Sequence, residues 1–259
     1  MFVVVGATGN TGSAVVETLL NKKQPVRIVV RSADKGARLK VKGAEIAVAS
    51  LDDVSALTGV FEGARGVYLM VPPNYGAANW LADQRSRIDR AAEAVKKSGV
   101  EHVVFLSSVG GHFPEGTGPI RAVHYGEQAL GAVARHLTIL RPCSFIENWA
   151  PVVGTAAAQG ILPTFIAPQA KIPMISTKDI GRVGAEQLMA SGQGRRIMEL
   201  AGPEEYSPDQ VAAVLGKLLD RAVTAQHAPL SAVVPTFKSF GFSDEAARLF
   251  EEMYRAFST

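Results

Sequence analysis

The segment GATGNTG, residues 6–12, sets Gly6, Gly9 and Gly12 between an apolar run and a helical one. A strand that leads through such a turn into a helix presents unpaired N–H groups and the positive end of a helix dipole, a place for an anion. Gly6 permits the tight turn, Gly9 lets the backbone approach a pyrophosphate, and Gly12 lets the helix lie close to the strand. Thr8, Asn10 and Thr11 sit in the same loop, where side chains hydrogen-bond phosphate. Glycines also simply punctuate strand-to-helix turns, but at the head of a βαβ pattern this turn reads as dinucleotide binding. Farther on, Ser107 and Ser108 close an apolar run and His124 and Tyr125 follow in the next helical stretch, groups able to hold or relay a proton.

The elements that must position these residues follow from periodicity. Apolar, β-branched runs predict strands at 2–5, 26–30, 44–49, 66–71, 101–107 and 137–141. Between them, helical spacing predicts helices at 11–23, 33–40, 79–98 and 122–135, with a turn and short helix at 51–58. That alternation describes an α/β chain, a Rossmann-type doubly wound parallel sheet over residues 1–142. Beyond Pro142 the rhythm loosens into helices at 177–190, 207–219 and 243–257 and short strands at 172–175, 196–201 and 222–226. Residues 143–259 therefore read as a small C-terminal α+β lobe, with its last strand and some helices free to pack back on the core.

Composition narrows the class. Of 259 residues, 47% are hydrophobic and 20% charged, an ordinary globular balance. The net charge of +3 is mildly basic, but Lys and Arg gather only around residues 27–42, which argues against direct nucleic-acid binding. No run approaches a membrane span, and the five-residue MFVVV stretch has no basic leader of a signal peptide. The lone Cys143 excludes an internal disulfide and a multi-cysteine metal site; no metal is expected, and a reducing, cytoplasmic compartment fits. Cys143, with no cationic neighbour in sequence, reads as a buried, inert thiol.

The end of the second strand bears on which dinucleotide is bound. An acid there would accept from a ribose 2′-hydroxyl and repel a 2′-phosphate. The chain instead carries Arg31 and Ser32, with Lys35 close by, so the guanidinium can pair with a 2′-phosphate and stack on adenine. NADP(H) is expected over NAD(H), although a solvated basic surface would use the same residues. Val71 and Pro72, at the carboxyl end of the fourth strand, should line the nicotinamide side, next to Ser107.

The spacing G-x-x-G-x-x-G resembles the extended and atypical branches of the short-chain dehydrogenase/reductase superfamily. VVFLSSVG, HYGEQAL, LTILRPCSFIENW, STKDIGRVGAEQL and MELAGPEEYSPDQVAAVL are similar to the NmrA-like family and its quinone-oxidoreductase relatives, from Phe2 to about Leu219. The resemblance implies a Rossmann domain with a small C-terminal lobe, an NADP-type cofactor in the cleft between them, and Asp52 beside the adenine edge. It also implies either a reductase or a dinucleotide-binding sensor without turnover. The superfamily's usual proton donor is a Tyr with a Lys four residues on, and no Y-x-x-x-K occurs in this chain: four residues after Tyr125 stands Ala129. Ser108 best matches the superfamily's serine. His124 stands three residues before Glu127, where NmrA-like relatives often have a Lys, and an imidazole there can bond the nicotinamide ribose or relay a proton. A helix-surface histidine would look the same.

Hydride transfer to a quinone or small carbonyl acceptor does not demand a strong protein acid, so a reductase survives the lost tyrosine–lysine pair. A sugar-nucleotide epimerase, which needs that base, fits less well. Substrate walls are expected from Pro73, from the glycine-rich loop at 110–120 beginning with Gly110, and from Phe145, Ile146, Asn148 and Trp149, although Phe and Trp so close together also suit plain packing. The partners expected are a small-molecule acceptor and, at most, a second copy of the chain: monomer or homodimer.

Replacing Arg31→Glu is expected to weaken NADPH binding by roughly tenfold to a hundredfold, the worth of a charged hydrogen bond, and NADH far less. Fluorescence titration with both nucleotides measures it; equal weakening of the two removes the case for a 2′-phosphate contact.

Overall fold

Strands whose side chains are apolar on both faces can only be satisfied between two layers of helices. The computed structural model, which describes residues 1–190 and 192–257, has that arrangement. The first half runs β1 (Phe2–Val5), α1 (Asn10–Asn21), β2 (Val26–Val30), α2 (Ala37–Val41), β3 (Glu45–Val48), α3 (Val54–Phe61), β4 (Gly66–Leu69), α4 (Trp80–Ser98), β5 (His102–Leu106), α5 (Ile120–Gly131) and β6 (His136–Pro142). The second half continues with β7 (Ser144–Phe145), α6 (Ala150–Gln159), β8 (Ile161–Thr164), β9 (Ile172–Ile175), α7 (Thr177–Met189) and β10 (Arg195–Leu200). It ends with β11 (Glu205–Tyr206), α8 (Pro208–Leu219), β12 (Thr224–His227), α9 (Val233–Ser239) and α10 (Asp244–Phe257).

Seven parallel strands form the central sheet in the order β10-β6-β5-β4-β1-β2-β3. Alternation along each strand divides the core. Phe2, Val4, Ile28, Tyr68, Val104 and Leu140 face one layer with Val15, Leu19 and Ile180. Val3, Val5, Val67, Leu69, Phe105 and Ile139 face the other with Leu57, Phe61, Ala91 and Val95. Each such fully buried aliphatic or aromatic side chain contributes roughly 1.5–3 kcal/mol.

The chain returns to the sheet after leaving it. β10 adds to β6 in parallel, and α7 lies so close to α1 that a Cβ on Gly181 would strike Ala14 and the Thr11 carbonyl oxygen. The expected strands at 172–175, 196–201 and 222–226 are present to within two residues, whereas β7, α6, β8, β11 and α9 had no expected counterpart. They are short, or are helices rich in Ala, Gly and Pro, so they carry no clear period. The strand expected at 66–71 stops at Leu69, and the helix expected from 122 begins at Ile120.

The C-terminal hairpin of α9 and α10 grips the loops around the sheet's upper edge. Ser243 N–H donates to the Tyr75 carbonyl (2.8 Å), Glu245 Oε2 accepts from Leu81 N–H (3.3 Å) and Glu252 Oε1 from Gly118 N–H (3.2 Å). Tyr75 stacks on Phe242 at 4.2 Å between ring centroids, and Phe237 on Phe250 at 4.4 Å.

At the opposite edge, His102 of β5 lies buried beside His136 of β6, its partner in register. Burial, with a smaller repulsion from His136, pushes the His102 pKa down. The sign follows from linkage. The unfolded chain takes up the proton first, so stability is fully present above the ordinary histidine range of about 6.5 and falls as pH drops below it. Thermal unfolding measured from about pH 7.5 to about pH 5.5 should show a decline that is shallower in a His102→Asn variant; identical slopes would remove His102 as a cause.

Candidate active site

In a parallel sheet every strand delivers its carboxyl end to the same edge, and a crevice opens where neighbouring connections leave in opposite directions. Here that point lies between β1, whose chain turns toward β2, and β4, its neighbour on the other side. The GATGNTG turn fills one lip. Gly6 has φ of 72°, a left-handed value, and its carbonyl accepts from Gly9 N–H (3.0 Å). A Cβ on Gly12 would collide with the Gly6 carbonyl, and one on Gly6 with the Met70 side chain. Only hydrogen fits at both places.

This closeness leaves the start of α1 bare. Gly9 is its N-cap with no side-chain cap, no acid stands in its first turn, and Ser13 N–H is the first to bond back, to Gly9 O (2.9 Å). The N–H groups of Asn10, Thr11 and Gly12 therefore face outward without an intrahelical acceptor. Thr8, Gly9 and Asn10 are exposed. Thr11 is not: its side chain is buried beside Tyr68, so what it brings to the turn is its N–H. Tyr68 itself is fully buried, and burial pushes its phenol pKa well up, which removes it from acid–base work.

The neighbouring helix provides a control. α7 begins at the same edge, and its N-terminus is filled by the chain itself. Ser176 Oγ accepts from Asp179 N–H, and the Glu147 carboxylate accepts from Thr177 N–H (3.0 Å) and Thr177 Oγ1 (2.6 Å). One helix start is closed by a carboxylate; the other has no side-chain cap. The glycine cradle and the uncapped helix fit a dinucleotide diphosphate.

Around this lip the other expected residues take varied places. Arg31 and Lys35 are exposed after β2, while Ser32 is half-buried. Asp52, after β3, is exposed and paired with Arg90 of α4 (2.9 Å), and its other oxygen accepts from Ser50 Oγ (3.2 Å). Because β4 ends early, Val71, Pro72 and Pro73 lie in the loop beyond it rather than at the strand's last position: Val71 half-buried, Pro72 and Pro73 exposed. Phe145 is part of β7 and packs on the core, and the Trp149 indole N–H donates to the Met174 sulfur (3.2 Å), whereas Ile146 and Asn148 are exposed. Cys143 is buried and its pKa is raised by that burial, as an inert thiol requires.

The proton-handling candidates separate. Ser107 was expected beside the cofactor, but its hydroxyl donates to Glu127 Oε1 (2.6 Å) inside the protein and is used there. Tyr125 was a catalytic candidate; its hydroxyl instead donates to Asp89 of α4 (2.6 Å) with the Arg85 guanidinium over its ring, and the Asp89 bond raises its pKa. Adjacent helical residues diverge by about 100°, so Tyr125 turns to α4 as His124 turns the other way. His124 Nδ1 lies 2.9 Å from the Gly111 carbonyl oxygen, and Ser108, half-buried, begins the turn whose carbonyl accepts from Gly111 N–H (3.0 Å). Gly110, with φ of 79°, lies between them in that turn.

Three participants escaped sequence reasoning. Glu127, wholly buried, holds Arg141 through two bonds, Nε to Oε1 (2.9 Å) and Nη2 to Oε2 (2.6 Å). The signal was there: an Arg ending the apolar run LTILR needs a carboxylate once buried. Glu147 gave none, because its partner lies thirty residues on, across a fold contact.

Comparison with known proteins agrees with this geometry. The model of the NmrA-like family matches residues 1–259. An NAD(P)H azoreductase of Xenophilus azovorans is 26% identical over 257 residues, covering 98% of this chain and 86% of the relative. Quinone oxidoreductase 2 of Escherichia coli strain K12 is 26% identical, covering 95% and 84%. Among solved structures, an NADPH-dependent quinone oxidoreductase from Escherichia coli complexed with NADPH aligns at a TM-score of 0.82 with 24% identity, over 98% of this chain and 88% of that one. The triphenylmethane reductase of Citrobacter sp. with NADP(H) aligns at 0.83 with 19% identity, over 99% and 89%.

A Gly12→Val substitution should weaken NADPH binding by at least about tenfold, because the helix must back away from the turn that it serves. Calorimetry reads the affinity and circular dichroism confirms the fold; wild-type affinity in a folded variant would refute the cradle.

Proposed function

The chain belongs to the NmrA-like family and is an NAD(P)H-dependent oxidoreductase, and we propose that it reduces a small quinone or carbonyl acceptor with NADPH. The observation that carries this is the bare start of α1 at the crevice of the sheet, set against the neighbouring α7 start that Glu147 closes. Asn10, Thr11 and Gly12 would hold the diphosphate through their N–H groups, with Gly6, Thr8 and Gly9 shaping the approach. No acid stands at the last positions of β2, and Arg31, with Lys35 beside Asp34 in the turn that follows, favours a 2′-phosphate and so NADP(H) over NAD(H). Asp52 takes the adenine side, and Val71 and Pro72 the nicotinamide side.

When bound, the cofactor supplies the hydride; the chain supplies orientation, a dry pocket and a proton route. His124 is the group we assign to the proton or to the nicotinamide ribose, with Ser108 on the acceptor. Tyr125 and Ser107 drop out, since Asp89 and Glu127 hold their hydroxyls. Pro73, Gly110, Asn148 and the exposed Ile146 would wall the acceptor, with Phe145 and Trp149 backing them. Residues 143–175 and 201–257 form the part of the chain that would select substrate. None of the helices among the described residues is long and apolar enough to cross a membrane. A cytoplasmic monomer or homodimer is the setting we propose.

NADPH oxidation followed against quinones, azo and triphenylmethane dyes and aldehydes tests this directly. At least one acceptor should accelerate it, and His124→Ala should lower kcat by roughly a hundredfold, the usual worth of a positioned acid–base group. Tight NADPH binding with no turnover on the whole panel would overturn the reductase in favour of a redox sensor.

A further inference from the structure

Glu127 of α5, Arg141 of β6 and Ser107, the residue that follows β5, form a bonded group in the interior. Glu127 is 0% exposed, Arg141 7% and Ser107 5%. A buried ion pair of this kind gives little net stability, because desolvation offsets the attraction. What it does give is fixed position. Arg195 of β10 lies at the group's outer side, Nη2 3.8 Å from Glu127 Oε2. Gly111 packs directly on the group: a Cβ there would lie 2.6 Å from Glu127 Oε1 and 2.7 Å from Ser107 Oγ. The carbonyl of that same residue meets His124 Nδ1 at 2.9 Å.

Resting on the assignment of His124 made above, we infer that the Ser107–Glu127–Arg141 group is a positioning device for His124, acting through the Gly111 carbonyl. A carbonyl only accepts, so Nδ1 must carry the hydrogen; in the neutral ring Nε2 is then the bare nitrogen. Among the described residues no hydrogen bond holds Nε2, which leaves it to ligand or water. His124 and Glu127 are three residues apart on α5 and so share a face. One end of that helical turn anchors the loop, and the other uses the loop's carbonyl to set its own ring. If Gly111 moved outward, the ring would lose its acceptor and could take the other tautomer, with Nε2 protonated. Glu127, Arg141 and Ser107 are positioning residues here, since none of them needs to touch the reactants.

The test reads the tautomer itself. In protein labelled with 15N at histidine, long-range proton–nitrogen correlation should show neutral His124 protonated at Nδ1. Gly111→Ala keeps every charge and inserts one methyl group between the loop and the buried pair. Glu127→Gln keeps the shape but removes the carboxylate bonded to Arg141, leaving among the described residues only Glu199 of β10 near it, and it risks unfolding, so the glycine variant is the primary one. In either folded variant the signal should shift to the Nε2-protonated form or to a mixture. kcat should fall by about tenfold or more with KM for NADPH unchanged, and adding Gly111→Ala to His124→Ala should cost little further. An unchanged Nδ1 signature in Gly111→Ala overturns the proposal, as does full additivity of the two substitutions. The catalytic assignment fails separately: His124→Ala with undiminished turnover would end it, while the tautomer spectrum still decides whether the buried group positions the ring.

Discussion

Two backbones cannot touch if side chains stand between them, and the whole upper edge of this molecule depends on a place where none do. Gly12 on α1 rests on the Gly6 carbonyl, and Gly6 turns through a left-handed conformation against Met70. With the helix that close to β1, its first three N–H groups converge at the centre of the sheet's edge instead of over its flank. The strands contribute direction, since all seven run parallel and end on one side. The glycines contribute distance.

The treatment of charge at that edge follows the same economy. A helix start is a partial positive charge that must be met by a side chain, water or a ligand. α7 meets it with Ser176 and Glu147; α1 has neither acid nor cap. The two helices lie side by side and contact each other closely, so the difference lies in the residues and not in the surroundings. Inside, charge is handled oppositely. Arg141 and Glu127 are fully paired, and removing one partner alone would cost roughly 3–5 kcal/mol. That cost accompanies a restraint on the Ser107–Gly111 turn.

Much of this was legible in the residues. Continuous apolar, β-branched runs marked the first six strands, and the spacing of GATGNTG marked the tight strand-to-helix turn at the crevice, because both are local signals. Side-chain commitments were not legible. Ser107 and Ser108 are neighbours of one type, and only the fold shows that Ser107 is spent on Glu127 twenty positions away. Tyr125 and His124 are likewise adjacent, and a start two residues earlier for α5 places both in its second turn, where they face different neighbours. In the last third, β7, β8 and β11 are too short to show a period, and their pairing is set by distant partners.

The C-terminal hairpin, where the motifs read from the sequence stop at about Leu219 but the family model runs on to residue 259, holds the loops beyond β4 and β5. Glu245 of α10 stands at the start of α4, accepting from Leu81 N–H, where Asn79 provides no side-chain cap. Seven residues along, Glu252 accepts from Gly118 N–H at the far end of the loop after β5. Two turns of one helix thus tie the loop beyond β4 to the loop beyond β5, and the stacked Tyr75 and Phe242 rings fill the space between. The bonds go to backbone N–H groups, so they constrain where the loops run without dictating their side chains. Loop composition can then drift to suit a different acceptor while the crevice keeps its shape, which is how one scaffold serves several reductases.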